Sequence, residues 1–279
     1  MAQMELLEVL EKINSVQVEN TNRLDQEDRI FCENQERHYR QALGCFNSFQ
    51  NHMQKIHDNA LDDGELEYCF IERYSDHSFV NGRIEEIKER HVRKICSHFI
   101  KKYNVTLEAD SIFAKYKNQD IDYITIVDEI YIQLGGFNFK EKAVNEIKEA
   151  MIHATAEREG CKVKIKGHRL SFNYSSLITE SNIWGITMDR QKALIIFNAL
   201  THFDTGNTHA HWMLTNYYFR KGDEDNGSSL FEKHEIAFTK VKAIKLFKNC
   251  RVDIEFRSGE AALQFAKEYC GYFDSIQTT

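Results

Sequence analysis

The chain has 279 residues, 42% of them hydrophobic and 12% aromatic; this suffices for one large or two ordinary packed domains and excludes intrinsic disorder. The net charge of −7 excludes the basic body of a general nucleic-acid binder: residues 1–108 carry 14 Lys+Arg against 20 Asp+Glu, and the remaining 171 carry 22 against 23. No run approaches about 18 apolar residues and no leading segment resembles a secretory signal, so a membrane is not an expected partner.

Seven scattered cysteines without a CxxC pair fit a reducing cytoplasm, with most thiols buried and inert. Proline is absent, so every turn has to come from Gly, Asn, Asp or Ser. Codon bias in an AT-rich genome accounts for that without any function.

In chain order, residues 1–105 read as helices. Leu6, Leu7, Leu10 and Ile13 share a face. Tyr39, Leu43, Phe46, Phe49, Met53 and Ile56 recur at steps of three and four, the period of an amphipathic helix. LDDGE at 61–65 is a turn, and Ile84, Ile87, Val92, Ile95, Phe99 and Tyr103 mark a second long helix. These two acidic helices either pack as a hairpin or project as an arm. Their narrow apolar stripe has to be covered by this chain or by another.

From about 108 the pattern mixes. IDYITIVDEIYIQL (121–134) runs into Gly135-Gly136, a helix ending where glycine accepts the left-handed conformation. Residues 139–154 form a further helix. CKVKIKGHRLSFNY (161–174) alternates as a β-hairpin turning at Gly167-His168, 191–200 is helical, and HAHWMLTNYYFR (209–220) alternates as a strand. Residues 243–247 and 251–256 pair as strands, and SGEAALQFAKEYCG closes as a helix between a Ser258 N-cap and Gly271. The expected fold class is α+β: a helical N-terminal arm or subdomain, 1–107, followed by a mixed domain, 108–279, of β-hairpins and packed helices.

Five stretches are candidates for chemistry. On a strand, His209 and His211 would face the same way and chelate a metal, with His202 and Asp204 completing the set; two histidines on a polar strand face give the same pattern. HEIAF (234–238) begins like HExxH, but Phe238 stands where the second histidine is required. In RVDIEFR, Asp253, Glu255 and Arg257 share one face, as a metal-dependent nuclease requires and as a solvated sheet face also would. Lys162, Lys164, Lys166 and Arg169 form a phosphate-binding row, or only an edge strand guarded against aggregation. Tyr217, Tyr218, Phe219 and Arg220 suit stacking on bases or, given the overall acidity, a protein interface. P-loop, dinucleotide and nucleophile-elbow motifs are absent, and no cofactor is called for.

The C-terminal segment 241–273 resembles the closing part of an uncharacterised domain family of phage and mobile-element proteins: a strand, a Phe-Lys-Asn-Gly-Asn turn, a strand ending in Phe, and a helix. Phe247, Lys248, Asn249 and Phe256 match; Cys250 replaces the turn glycine, Arg251 the second asparagine, and Asp253 a histidine. The whole chain is similar in length and layout to the phage-encoded Gabija anti-defence proteins. That resemblance implies a non-enzymatic inhibitor in the host-cell cytoplasm, a homo-oligomer that assembles around a bacterial defence nuclease complex and blocks DNA binding or cleavage. A contact between subunits at Cys270, near the chain end, is one expectation; packing of the closing helix is the other. A nucleic-acid-binding or nuclease-accessory protein of a mobile element, and a metal-dependent hydrolase using His209 and His211, are the alternatives.

Overall fold

The computed structural model describes residues 23–63, 77–157, 160–161, 163–181, 185–221 and 228–272. The expected helix over Leu6, Leu7, Leu10 and Ile13 lies outside them, as does Lys162. The fold is α+β, and its contacts divide the chain into two units, residues 1–102 with 106–138 and residues 103–105 with 139–279. The boundary expected at 107/108 therefore falls inside the first unit. No helix among the described residues is long and apolar enough to cross a membrane.

In the first unit, α1 (Gln26–Asp62, 37 residues) and α2 (His77–Tyr103) pair as an antiparallel hairpin. Asp25 caps α1 by accepting the Asp28 N–H at 2.8 Å. The register is set by side chains: Asp28 faces His98 and Lys102, and Tyr39 stacks on His91 with centroids 4.4 Å apart. At the same level Cys32 and Cys96 are fully buried, and burial pushes both thiols up to about 12, which leaves them inert at neutral pH.

Two short helices follow, α3 (Ala109–Lys115) and α4 (Tyr123–Gln133). Arg40 on α1 donates to Asp120 at 2.7 Å, and Glu36 accepts the Tyr123 N–H at 2.9 Å. A carboxylate at the N-terminus of α4 also meets the positive end of that helix. These links place 109–133 with α1. Beyond Tyr39, nothing on α1 is fully buried. Leu43, Phe46, Phe49 and Met53 are half-buried, while Ile56 and Leu61 are 46% and 55% exposed.

The second unit opens with α5 (Phe139–Thr155) and the short pair β1 (Ala156–Glu157) and β2 (Gly160–Cys161). Next come β3 (Lys164–Lys166), β4 (Arg169–Asn173), and a separate hairpin of β5 (Ile178–Ser181) and β6 (Gly185–Met188). Helix α6 (Arg190–Thr205) ends at Gly206, whose φ of 75° is the left-handed conformation glycine tolerates. A short α7 (Trp212–Thr215) runs into a π-helical turn over Asn216–Lys221. The chain closes with β7 (His234–Glu235), β8 (Val241–Leu246), β9 (Arg251–Phe256) and α8 (Gly259–Tyr269), the last capped by Ser258.

Strands β3-β4-β9-β8-β7 form one antiparallel sheet in that order. Successive side chains on a strand point to opposite faces, so pairing sorts the residues into rows. Leu170, Ile254 and Ile244 make one buried row, and Phe172, Val252 and Leu246 the next. These rows share a core with Phe197, Leu200 and Phe203 of α6 and Phe265 and Tyr269 of α8. The helices thus cover one face of the sheet.

Candidate functional site

The other face carries the polar rows. One runs Lys164, Ser171, Asp253, Lys245; the other runs Lys166, Arg169, Glu255, Ala243, Glu235. Asn173 pairs with Arg251 at the row's end. Lys164, Lys166, Arg169 and Asn173 are exposed. Of the hairpin expected over 161–174, the part over Lys164–Asn173 is present, while Cys161 pairs with Ala156 in β1–β2; the hairpin sets its basic residues beside Arg251 of β9 and Lys245 of β8.

At the centre of this face lies a cavity of about 230 Å³, lined by Arg169, Lys233, Lys245, Arg251, Asp253 and Glu255, with Phe247 in its wall. The local geometry explains each position. A bulge between Val241 and Ala243 turns Lys242 toward β9, where its Nζ donates to Glu255 Oε1 at 2.8 Å. Lys233 donates to Oε2, and His168 Nε2 lies 3.3 Å from Oε1. Hydrogen bonds from Lys233 and Lys242 hold the Glu255 carboxyl at about 2. The Arg251 guanidinium lies 3.7 Å from the centre of the Phe247 ring, and its Nε is 3.1 Å from Asp253 Oδ1. Arg169 is exposed, and no hydrogen bond or ion pair among the described residues occupies it.

The depressed Glu255 carboxyl makes a prediction. Its folded value lies below the ordinary 4.5, so its contribution is complete above 4.5 and is lost as pH falls toward about 2. Glu255→Gln lacks that contribution. Thermal unfolding of both proteins across acid pH should show a gap that narrows between 4.5 and about 2; a gap independent of pH would contradict the assignment.

Charge is segregated by unit. Residues 1–138 carry 16 Lys+Arg against 25 Asp+Glu, and residues 139–279 carry 20 against 18, so the total of −7 divides into −9 and +2. Splitting the chain at 108 hides this, because the acidic segment 109–138 belongs to the helical unit.

The other expected sites come out differently. The HAHW segment is no strand: Gly206 ends α6, Asn207 Oδ1 accepts the His209 N–H, and His211 caps α7 by accepting the Met213 N–H. His202 Nδ1 binds the Tyr269 hydroxyl at 2.6 Å, and Asp204 accepts the amides of 239–241. His209 and His211 therefore do not share a strand face with His202 and Asp204. Among the described residues no group of three or more His, Cys, Asp or Glu side chains is placed to hold a metal ion. Of the carboxylate pair, Glu255 is gripped by two lysines and Asp253 lies 3.1 Å from Arg251 Nε, while Arg257 is drawn away to donate to Phe238 O at 2.8 Å.

The aromatic run 217–219 also turns inward. Tyr218 is 1% exposed, stacks on Phe197 and reaches Ile244 O with its hydroxyl. Tyr217 is half-buried and stacks on His234 at 3.8 Å; Phe219, also half-buried, lies 5.4 Å from the Arg190 guanidinium. Tyr218 is thereby withdrawn from any partner-facing surface, and only Arg220 of the four is exposed. The π-helical turn, not an alternating strand, sets these directions. Cys270 is 1% exposed within the core of its own unit, and its carbonyl accepts from Thr155 Oγ1 at 3.4 Å.

No protein-family model, curated protein or solved structure matches the chain.

Proposed function

We propose that this protein acts by binding, and that the open face of its five-stranded sheet binds a single nucleic-acid strand through its phosphates. The observation that carries the reading is the register itself. It sets Lys164, Lys166, Arg169, Lys245 and Arg251 in adjacent rows on the sheet face that the helices leave open. The unit holding them is net positive although the chain is acidic. Cations spaced in rows by a rigid sheet meet a phosphate backbone with only their side chains left to order.

The test is retention of a short single-stranded oligonucleotide against salt. Neutralising Lys164, Lys166 and Arg169 together should lower affinity at least tenfold at low salt and flatten the log–log salt slope by about 2, at roughly 0.7 per lost phosphate contact. All three side chains are exposed, so the fold is not at stake. An unchanged slope would reject the reading.

A second reading is favoured by the first unit. An acidic helical hairpin whose apolar stripe, Leu43, Phe46, Phe49 and Met53, is only half-buried suits protein contact. On that reading the chain is a phage-encoded anti-defence protein, an oligomer that docks on a bacterial defence nuclease complex and blocks its DNA. Co-purification with such a complex and loss of its cleavage would support this. Absence of binding at micromolar concentration would count against it.

A further inference from the structure

We infer that the sheet-face cavity receives a phosphomonoester dianion, the terminal phosphate of a nucleic-acid strand or the phosphate of a free nucleotide. The inference rests on the reading of the sheet face as a phosphate-binding surface, and adds what distinguishes the cavity from the rows around it.

Charge is the first argument. Arg169, Lys233, Lys245 and Arg251 against Asp253 and Glu255 leave the lining at two positive charges. A phosphomonoester carries about −1.5 to −2 at neutral pH and a backbone diester only −1, so the terminal group matches the lining more closely. The two carboxylates repel any anion, a dianion more than a monoanion, but the four cations of the lining outnumber them. Glu255 is not a free competitor, because Lys233 and Lys242 hold it; Asp253 has only the 3.1 Å approach of Arg251 Nε, which makes no hydrogen bond.

Donor supply is the second. Arg169 has all its guanidinium hydrogens unengaged among the described residues, and Lys245 has no ion pair there, only the Phe247 ring 5.2 Å from its Nζ. Arg251 is fixed between the Phe247 ring and Asp253, so little side-chain freedom is lost when it meets an anion. Two guanidinium groups offer the planar, forked donors that suit phosphate oxygens.

Shape is the third. A concavity of about 230 Å³ accepts a group at the end of a chain. A diester within a strand has a sugar on both sides and would have to enter and leave the same hollow. The volume is also below the roughly 300 Å³ at which pockets enclose a whole drug-sized molecule, so sugar and base would lie outside on the lysine rows.

The experiment uses one oligonucleotide in three forms, with a 5′-phosphate, a 3′-phosphate or hydroxyls at both ends, and adenosine monophosphate as a free nucleotide. Binding of one phosphorylated form about tenfold more tightly than the hydroxyl form is expected, the value of one charge-assisted hydrogen-bonded contact. Arg169→Gln should abolish that preference. Lys164→Gln with Lys166→Gln should weaken all forms alike and leave the ratio intact. Equal affinity for the three forms would overturn the inference while leaving the sheet-face reading standing. A preference that survives Arg169→Gln would overturn it too, since the discriminating group would then lie elsewhere. If no oligonucleotide binds but adenosine monophosphate does, and Arg169→Gln removes it, the cavity serves a free nucleotide and the strand reading falls. If neither binds, both fall.

Discussion

Replacing Asp204 by alanine should cost about 2–4 kcal/mol of stability, because the carboxylate ties the end of α6 to the start of β8. Its Oδ1 accepts the Lys240 and Val241 N–H groups at 2.5 and 3.2 Å, and its Oδ2 accepts the Thr239 N–H at 2.9 Å and hydroxyl at 3.2 Å. A carboxylate in the last turn of a helix is badly placed for the helix dipole, so these donors have to offset that cost as well. Truncation leaves backbone donors without their acceptor where the chain enters the core strand β8.

Asp204→Asn should cost about half as much, since one oxygen still accepts while the amide nitrogen faces donors. Both tryptophans of the chain, Trp184 and Trp212, belong to the second unit. Urea unfolding followed by their fluorescence therefore reports the unit in which the tie lies. A loss under about 0.5 kcal/mol for the alanine variant would remove the structural role and return Asp204 to the set of possible ligands.

That residue also shows where the sequence was legible and where it was not. Asp204 stands two residues from His202 and five from His209, which looks like a ligand cluster along the chain. What decides its role is a partner 35 residues away, and no local pattern announces it. The HAHWMLTNYYFR segment misleads for a related reason. Its alternation of polar and apolar residues is genuine, but a π-helical turn buries Tyr218, and the left-handed Gly206 had already broken the chain direction. Short apolar runs do not separate strand from helix by period alone.

The β5–β6 hairpin went unread because it stands apart from the main sheet and its strands are only four residues each. By contrast, the long helices, the Lys164–Asn173 hairpin and the strand–turn–strand–helix ending were all legible, since each is a local pattern with its own turn or cap. The turn residue Cys250 is instructive. It has φ of 62°, the left-handed conformation that glycine would adopt without strain. The open face was half-legible. Its lysine row was visible on one strand, but its union with Arg251, Lys245 and Lys233 depends on register across strands 80 residues apart.

In the helical unit the largest effect should come from Asp28. This carboxylate is fully buried, with Oδ1 2.6 Å from His98 Nε2 and 2.8 Å from Lys102 Nζ. His98 is in turn stacked on Phe31 at 3.9 Å, so its ring position depends on both contacts. Removing one member of a buried ionic cluster leaves the others desolvated without a partner, which costs about 3–5 kcal/mol. Asp28→Ala should therefore unfold the hairpin at markedly lower urea, followed by the far-UV helix signal.

The decisive comparison is a cycle with His98→Ala. If the two side chains act through their hydrogen bond, the double variant should be more stable than the sum of the single losses predicts, by roughly 1–3 kcal/mol. Simple additivity would mean that Asp28 matters through Lys102 and the helix start alone. A loss under about 1 kcal/mol for Asp28→Ala would show that the α1–α2 register is fixed elsewhere, by the Tyr39–His91 stack. A pinned hairpin matters for function because the half-buried stripe on α1 keeps its direction only while α2 stays in register beneath it.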